Sequence, residues 1–163
     1  MNTEKLFTMQ KNLDRHIEEK HGLASEDLFG RKILALLVEL GELANETRCF
    51  KFWSTKAPSE RQIILEEFVD GIHFILSLGI ECSFTAPEYG NGVTLSNHSV
   101  YEQFLVVYGA VTSFQLTKAE KQYHYLFSSY MELGKMLGFT PEDIEQAYIE
   151  KNEVNYERQR KGY

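Results

Sequence analysis

Cysteine occurs only twice in 163 residues, at Cys49 and Cys82, far apart and outside any Cys-x-x-Cys spacing. That excludes a disulfide scaffold and a cysteine-rich zinc module. Two unpaired thiols suit a reducing, cytoplasmic compartment. Cys49 has no evident histidine partner and reads as a structural thiol. Proline is equally scarce: Pro58, Pro87 and Pro141 each suit a helix boundary or a loop. No apolar run approaches the roughly 20 residues of a membrane span. The opening MNTEKLFTMQKNLDRH lacks the apolar stretch of a secretory signal. Positive charge is short as well, with 17 Lys and Arg against 24 Asp and Glu, a net charge of −7. A broad grip on a nucleic-acid backbone is therefore not expected. Phosphate loops and nucleophile elbows are missing: there is no GxxxxGK[ST], GxGxxG or GxSxG. Strand-like alternation is confined to a hint at Gly92–Leu95.

What remains is a chain that is 43% hydrophobic, enough for a substantial core in one domain spanning 1–163. The apolar spacing is helical almost throughout. Residues 3–21 carry Leu6, Met9, Leu13 and Ile17, and residues 26–49 read as a second, strongly apolar helix. A third starts at APSERQ, with Ser59 as expected N-cap, and runs to about Leu78, where Gly79 is expected to stop it. Residues 83–100 are polar and rich in turn formers, so a long loop is predicted. Helical patterns resume at about 101–116 and 119–137. In GFTPED, Gly138 ends one helix, Thr140 caps the next and Pro141 takes its first position, giving a last helix from 141 to about 160. The class is all-α, a bundle of about six helices.

Acid pairs at i, i+3 stand out on two of these helices: Glu39 and Glu42 in VELGELANE, then Glu67 and Asp70 in LEEFVDGIHF. The spacing puts each pair on one helix face. Such pairs are commonly a solvated face. Here their neighbours argue otherwise. Leucines and isoleucines fill most of the first helix's circumference, which predicts a mostly buried helix, and the strip of the second runs Ile63, Glu67, Asp70, Phe74. Four carboxylates converging in a lined cavity repel one another unless cations are bound or some are protonated. All-oxygen donors suit Mg²⁺ or Mn²⁺ rather than zinc. A di-iron site would need Glu-x-x-His on two helices, and Glu39 and Glu42 have no paired histidine.

The tail AYIEKNEVNYERQRKGY is the most basic segment of this acidic chain. Lys151, Asn155 and Arg158 recur at i, i+4 and i+7, so one face offers ammonium, amide and guanidinium, a phosphate-facing set. An ordinary solvated terminal helix is the plainer alternative. A basic helix opposite an acidic cavity, however, would clamp a polyphosphate between metal ions and side chains.

Taken together, VELGELANE, FKFW, EEFVDGIHF and the tail Tyr148…Lys151-Asn152…Asn155…Arg158-Gln159…Gly162-Tyr163 resemble the dimeric dUTPases of the all-α NTP pyrophosphatase superfamily, which also holds MazG-like and dCTP-directed enzymes. The resemblance implies Mg²⁺-dependent hydrolysis of dUTP, and of dUDP, to dUMP by a homodimer binding two or more metal ions. By position, Glu39, Glu42, Glu67 and Asp70 would hold the metal, and Glu39 would also activate water. Lys51, Lys151, Asn155, Arg158 and Tyr163 would hold phosphates, and Gln10, Trp53, His73 and Phe74 would lie near the nucleoside. A regulatory protein partner is the other role considered, since the loop 83–100 is long enough to present a surface.

Overall fold

The computed structural model describes residues 1–88 and 99–162. Six helices occur in it: α1 Thr3–His21, α2 Phe29–Thr47, α3 Arg61–Glu81, α4 Val100–Thr117, α5 Glu120–Met136 and α6 Pro141–Arg160. Among the described residues there is no strand, and no helix is long and apolar enough to cross a membrane. Gly92–Leu95 lies outside the described residues.

Local chemistry fixes most of the boundaries. Asn2 caps α1 by accepting from the Lys5 N–H, and the helix closes at Gly22 with φ +68°, a left-handed conformation that glycine adopts without strain. Thr140 and Asp143 cap α6 reciprocally, with Pro141 just inside the start, as expected from GFTPED. Ser99 and Glu102 form the same kind of box at α4.

Two expectations fail around α3. Its N-cap is Glu60, not Ser59, because the Ser59 hydroxyl donates instead to the Glu46 carboxylate of α2. Gly79 does not stop the helix, which continues to Glu81. The Tyr123 ring of α5 lies so close over Gly79 that a Cβ would collide with it. The glycine serves a close approach of ring to backbone rather than a turn.

Helix α3 is the centre of the bundle. It packs against α1, α2, α5 and α6, while α4 rests on α2 and α5. Its core face runs from Leu65 through Phe68, Val69, Ile72, Ile75 and Leu76 to Leu78, all essentially without exposure. Beside the acid pair, Gly71 lies under the Tyr130 ring, whose hydroxyl donates to the Phe68 carbonyl at 2.8 Å. This contact holds the backbone next to Asp70 in place.

Helix α2 is less buried than its leucine content suggests. Leu34 and Val38 are 63% and 49% exposed, and Leu105 of α4 is 65% exposed. The aromatics of α4 and α5 divide similarly: Phe104, Phe114, Tyr123 and Phe127 are core, whereas Tyr101 and Tyr125 are exposed.

Candidate active site

The acid pairs meet because α2 and α3 are antiparallel neighbours joined by the segment 48–60. Arg48 ends α2 in a left-handed conformation, φ +57°. Its guanidinium donates to the Lys56 carbonyl at 3.0 Å and to Ser54 Oγ at 2.6 Å, which folds the connection back on itself. Carboxylate oxygens of Glu39, Glu67 and Asp70 then lie within 4.8 Å of one another, all partly buried. Glu42, the fourth acid of the pattern, is exposed and stands outside this trio. It is still near enough for its charge to act on both Glu39 and Glu67.

Burial comes first among the causes that lift the Glu39 carboxyl to about 7, followed by repulsion from Asp70, Glu42 and Glu67. Glu67 is raised for the same reasons. Burial also raises Asp70, against the pull of Lys151, whose Nζ sits 2.5 Å from Asp70 Oδ2. Three oxygen-donor groups held this close, and reluctant to ionise together, are a fitting cage for a hard divalent cation. A bound cation would also relieve the repulsion that raises them.

Beside the trio opens a cavity of about 410 Å³ lined from four helices. Glu39 and Asp70 mark one end, Asn155 and Arg158 come from α6, and Phe74 and His73 come from α3. Gln10, Asp14 and Lys32 complete the far end. Lys151, Asn155 and Arg158 thus come to the acids' side of the bundle, as the tail spacing predicts.

At the far end the polar groups are buried and bonded to one another. Gln10 Nε2 donates to Asp14 Oδ1 at 2.6 Å, and Ser77 Oγ donates to Asp14 Oδ2 at 2.6 Å. Gln10 Oε1 accepts from the Tyr148 hydroxyl at 2.6 Å and lies 2.7 Å from His73 Nδ1. The His73 ring stacks on Tyr148, with centroids 4.0 Å apart. Its Nε2 is buried with no hydrogen-bond partner among the described residues. Burial, then the charge of Lys151, depresses His73 to about 3, so the ring is neutral at physiological pH.

Other expected residues lie elsewhere. Trp53 is 65% exposed and packs edge-on against Phe50 and Phe52 rather than lining the cavity. Lys51 sits over the Phe50 ring, also off the cavity lining. Tyr163 lies outside the described residues. Sequence reasoning passed over Asp14, Lys32, Ser77 and Tyr148 as site residues. A signal existed for the first: Gln10 interrupts the apolar stripe Leu6–Leu13–Ile17, and Asp14 follows at i+4, in reach of its amide.

An all-helical bundle that turns a carboxylate trio and the Lys151, Asn155 and Arg158 face of α6 toward one cavity defines a protein of the all-α class built around an acid site. Residues 2–163 match the family model described as dUTPase, and the chain belongs to that family. It is accordingly an enzyme, a dUTP diphosphatase of the hydrolase class, with a nucleotide as substrate. No curated protein matches the chain at a significant level.

Proposed function

We propose that the chain hydrolyses dUTP to dUMP and pyrophosphate, and dUDP to dUMP and phosphate, in a magnesium-dependent reaction that keeps uracil out of DNA. The observation that carries this reading is the approach of Glu39, Glu67 and Asp70 within 4.8 Å, at the end of a cavity that Asn155 and Arg158 also line. Glu39, Glu67 and Asp70, joined by Glu42, would hold two or more Mg²⁺ ions, with Mn²⁺ as the substitute. Bound magnesium supplies positive charge to the phosphates and acidifies water. Glu39 would take the proton from the attacking water. Asn155 and Arg158 hold the phosphates by hydrogen bonds and charge. Lys151, now paired with Asp70, is positioned to shift to a phosphate oxygen when the acids are neutralised.

The nucleoside occupies the far end, with Phe74 and His73 against the base. Gln10 Oε1 faces two groups already, His73 and Tyr148, so its remaining capacity is one N–H of its amide. That N–H would donate to a carbonyl oxygen of uracil. Lys51 and Trp53, which do not line the cavity, would act on phosphates and base from its outside, and Tyr163 would bind phosphate. The working form is a cytoplasmic homodimer, for which the exposed Leu34, Val38 and Leu105 supply apolar surface.

The test is pyrophosphate release from dUTP, dCTP, dTTP, dATP, dGTP and UTP, with Mg²⁺ and with chelator. Selective, Mg²⁺-dependent cleavage of dUTP is expected. Preference for dCTP would overturn the base assignment. No cleavage by folded, metal-loaded protein would shift the role to partner binding, including a repressor-type partner.

A further inference from the structure

We propose that Lys32 is a positioning residue that fixes the width of the substrate cleft by tying α2 to α1 across its far end. The inference rests on the nucleotide reading above for its ligand, and on packing for everything else. Helices α1 and α2 follow each other in the chain, yet they do not pack on each other, and α2 does not pack on α6. Helices α1 and α6 do pack together, and all three lie on α3. The cavity is therefore a cleft, with α1 and α6 as one wall, α2 as the other and α3 as the floor. The two walls carry different parts of the site. Glu39 belongs to α2, whereas Gln10, Asn155 and Arg158 belong to α1 and α6. A ligand gripped from both sides needs the gap held at one width.

Lys32 leaves α2, lines the cleft and reaches the opposite wall. Its Nζ lies 3.3 Å from Glu18 and 3.8 Å from Asp14, both on α1, and 2.6 Å from Glu81 of α3. Among the described residues, no other side chain of α2 hydrogen-bonds or ion-pairs with α1. The partners are anchored in turn. Ser77 Oγ donates to Asp14 at 2.6 Å, and the Leu28 N–H donates to Glu81 at 3.4 Å. One ammonium thus meets three carboxylates, which would repel one another across the gap without it. The segment 22–28 joins α1 to α2 at this same end. The tie therefore sits beside the pivot, and a small slackening there opens the Glu39 end by more. A cleft that spends only part of its time at the right width binds more weakly by that fraction. Once the ligand has closed it, the complex is the same, so turnover at saturation holds.

The width is read by pulsed electron spin resonance in nucleotide-free protein, with labels on unnatural residues at Lys11 of α1 and Asn45 of α2, both exposed. Lys32→Met should lengthen or broaden the distance by about 2 Å or more, while Lys32→Arg, which keeps the charge, should stay close to wild type. An unchanged distance in Lys32→Met overturns the inference. In unlabelled protein, at a temperature where the variant is folded, Lys32→Met should raise KM for dUTP about tenfold and leave kcat within about twofold. A fall in kcat at unchanged KM, or no change in either, overturns the role. Glu18→Gln separates a tie from a lysine that binds phosphate itself, because it keeps the Lys32 charge and removes a nearby anion. A loosened tie raises KM about threefold; an unchanged or lower KM counts against it. Should Lys32→Met not fold, Glu18→Gln decides alone, by distance and by KM. A wild-type protein that cleaves no dUTP would sink the function reading instead, while the measured distances would still decide the tie.

Discussion

Glu39 carries opposite demands at the scale of one residue. Its carboxyl rests at about 7 against an ordinary 4.5, mainly through burial and then through three neighbouring acids. Between those two values the folded protein keeps a proton that the unfolded chain has released. Raising the pH through that window therefore costs stability, and the cost is complete above pH 7. Glu39→Gln removes it. In chelator at pH 7.5 that variant should melt about 3 °C higher, a gain of roughly 1 kcal/mol after discounting for solvent. In Mg²⁺ it should have lost turnover by about a thousandfold, since no base remains for the water. Calorimetry and a pyrophosphate assay check the two halves separately. Retained turnover would remove Glu39 from its role.

Lys151 predicts the reverse. It is the cation on Asp70, at 2.5 Å, and both side chains are largely shielded. Lys151→Met leaves a buried carboxylate without its partner, which costs about 1–3 kcal/mol in a partly solvated pair. Denaturant melts in chelator should show that loss. Added Mg²⁺ should recover part of it, because the ion replaces the missing charge. A loss indifferent to Mg²⁺ would argue against metal at this trio.

Elements set how closely these side chains can be held. Helix α3 brings Asp70 to the site only because Gly71, next in sequence, lets the Tyr130 ring press against its backbone. Gly71→Ala puts a methyl group inside that ring, and overpacking of this kind costs about 1–3 kcal/mol or more. Because the displaced backbone includes Asp70, activity should fall further than stability explains at a temperature where the variant is still folded. An urea melt and an assay on the same preparation test this; equal activity per folded molecule would separate Gly71 from the site.

The legibility of the chain follows the same line between local and distant causes. Six helices were readable, because caps and apolar spacing are local: Thr140, Pro141 and Gly138 dictate the start of α6 wherever it packs. The spacing at i, i+3 puts each acid pair on one face and suggested four converging carboxylates, but it could not show that Glu42 stays exposed outside the trio of Glu39, Glu67 and Asp70. Gly79 and Ser59 misled, since their roles depend on Tyr123 and Glu46, residues of other helices. The hydrogen-bonded chain from Lys32 through Asp14 and Gln10 to His73 was not readable either. It draws on α1, α2 and α3, and only the packed bundle places those helices together.

For the whole molecule, the apolar surface left on α2 and α4 asks for a partner, and the proposed homodimer supplies one. Leu34 and Val38 lie one turn apart on α2 and stay about half or more exposed, and Leu105 does so on the adjoining α4. The two helices are linked directly, with the Tyr108 hydroxyl 3.4 Å from the Leu37 carbonyl. A stable dimer buries roughly 1,200–2,000 Å² in total, with large apolar side chains at its centre. Burying these three leucine- and valine-sized groups from each copy would contribute several kcal/mol at about 25 cal/mol per Å². Charge placed there should therefore act on assembly before it acts on the fold. Leu34→Glu with Leu105→Glu sets like charges across any two-fold contact through this face and touches no residue of the core. Sedimentation should show twice the chain mass for the wild type and a single chain for the double variant, with unchanged helical content. The wild type's melting temperature should also rise with protein concentration, as it must when folding and association are linked. A double variant that remains a dimer would move the interface off this face, and a wild type that sediments as a single chain would leave Leu34 and Leu105 as surface without a partner copy.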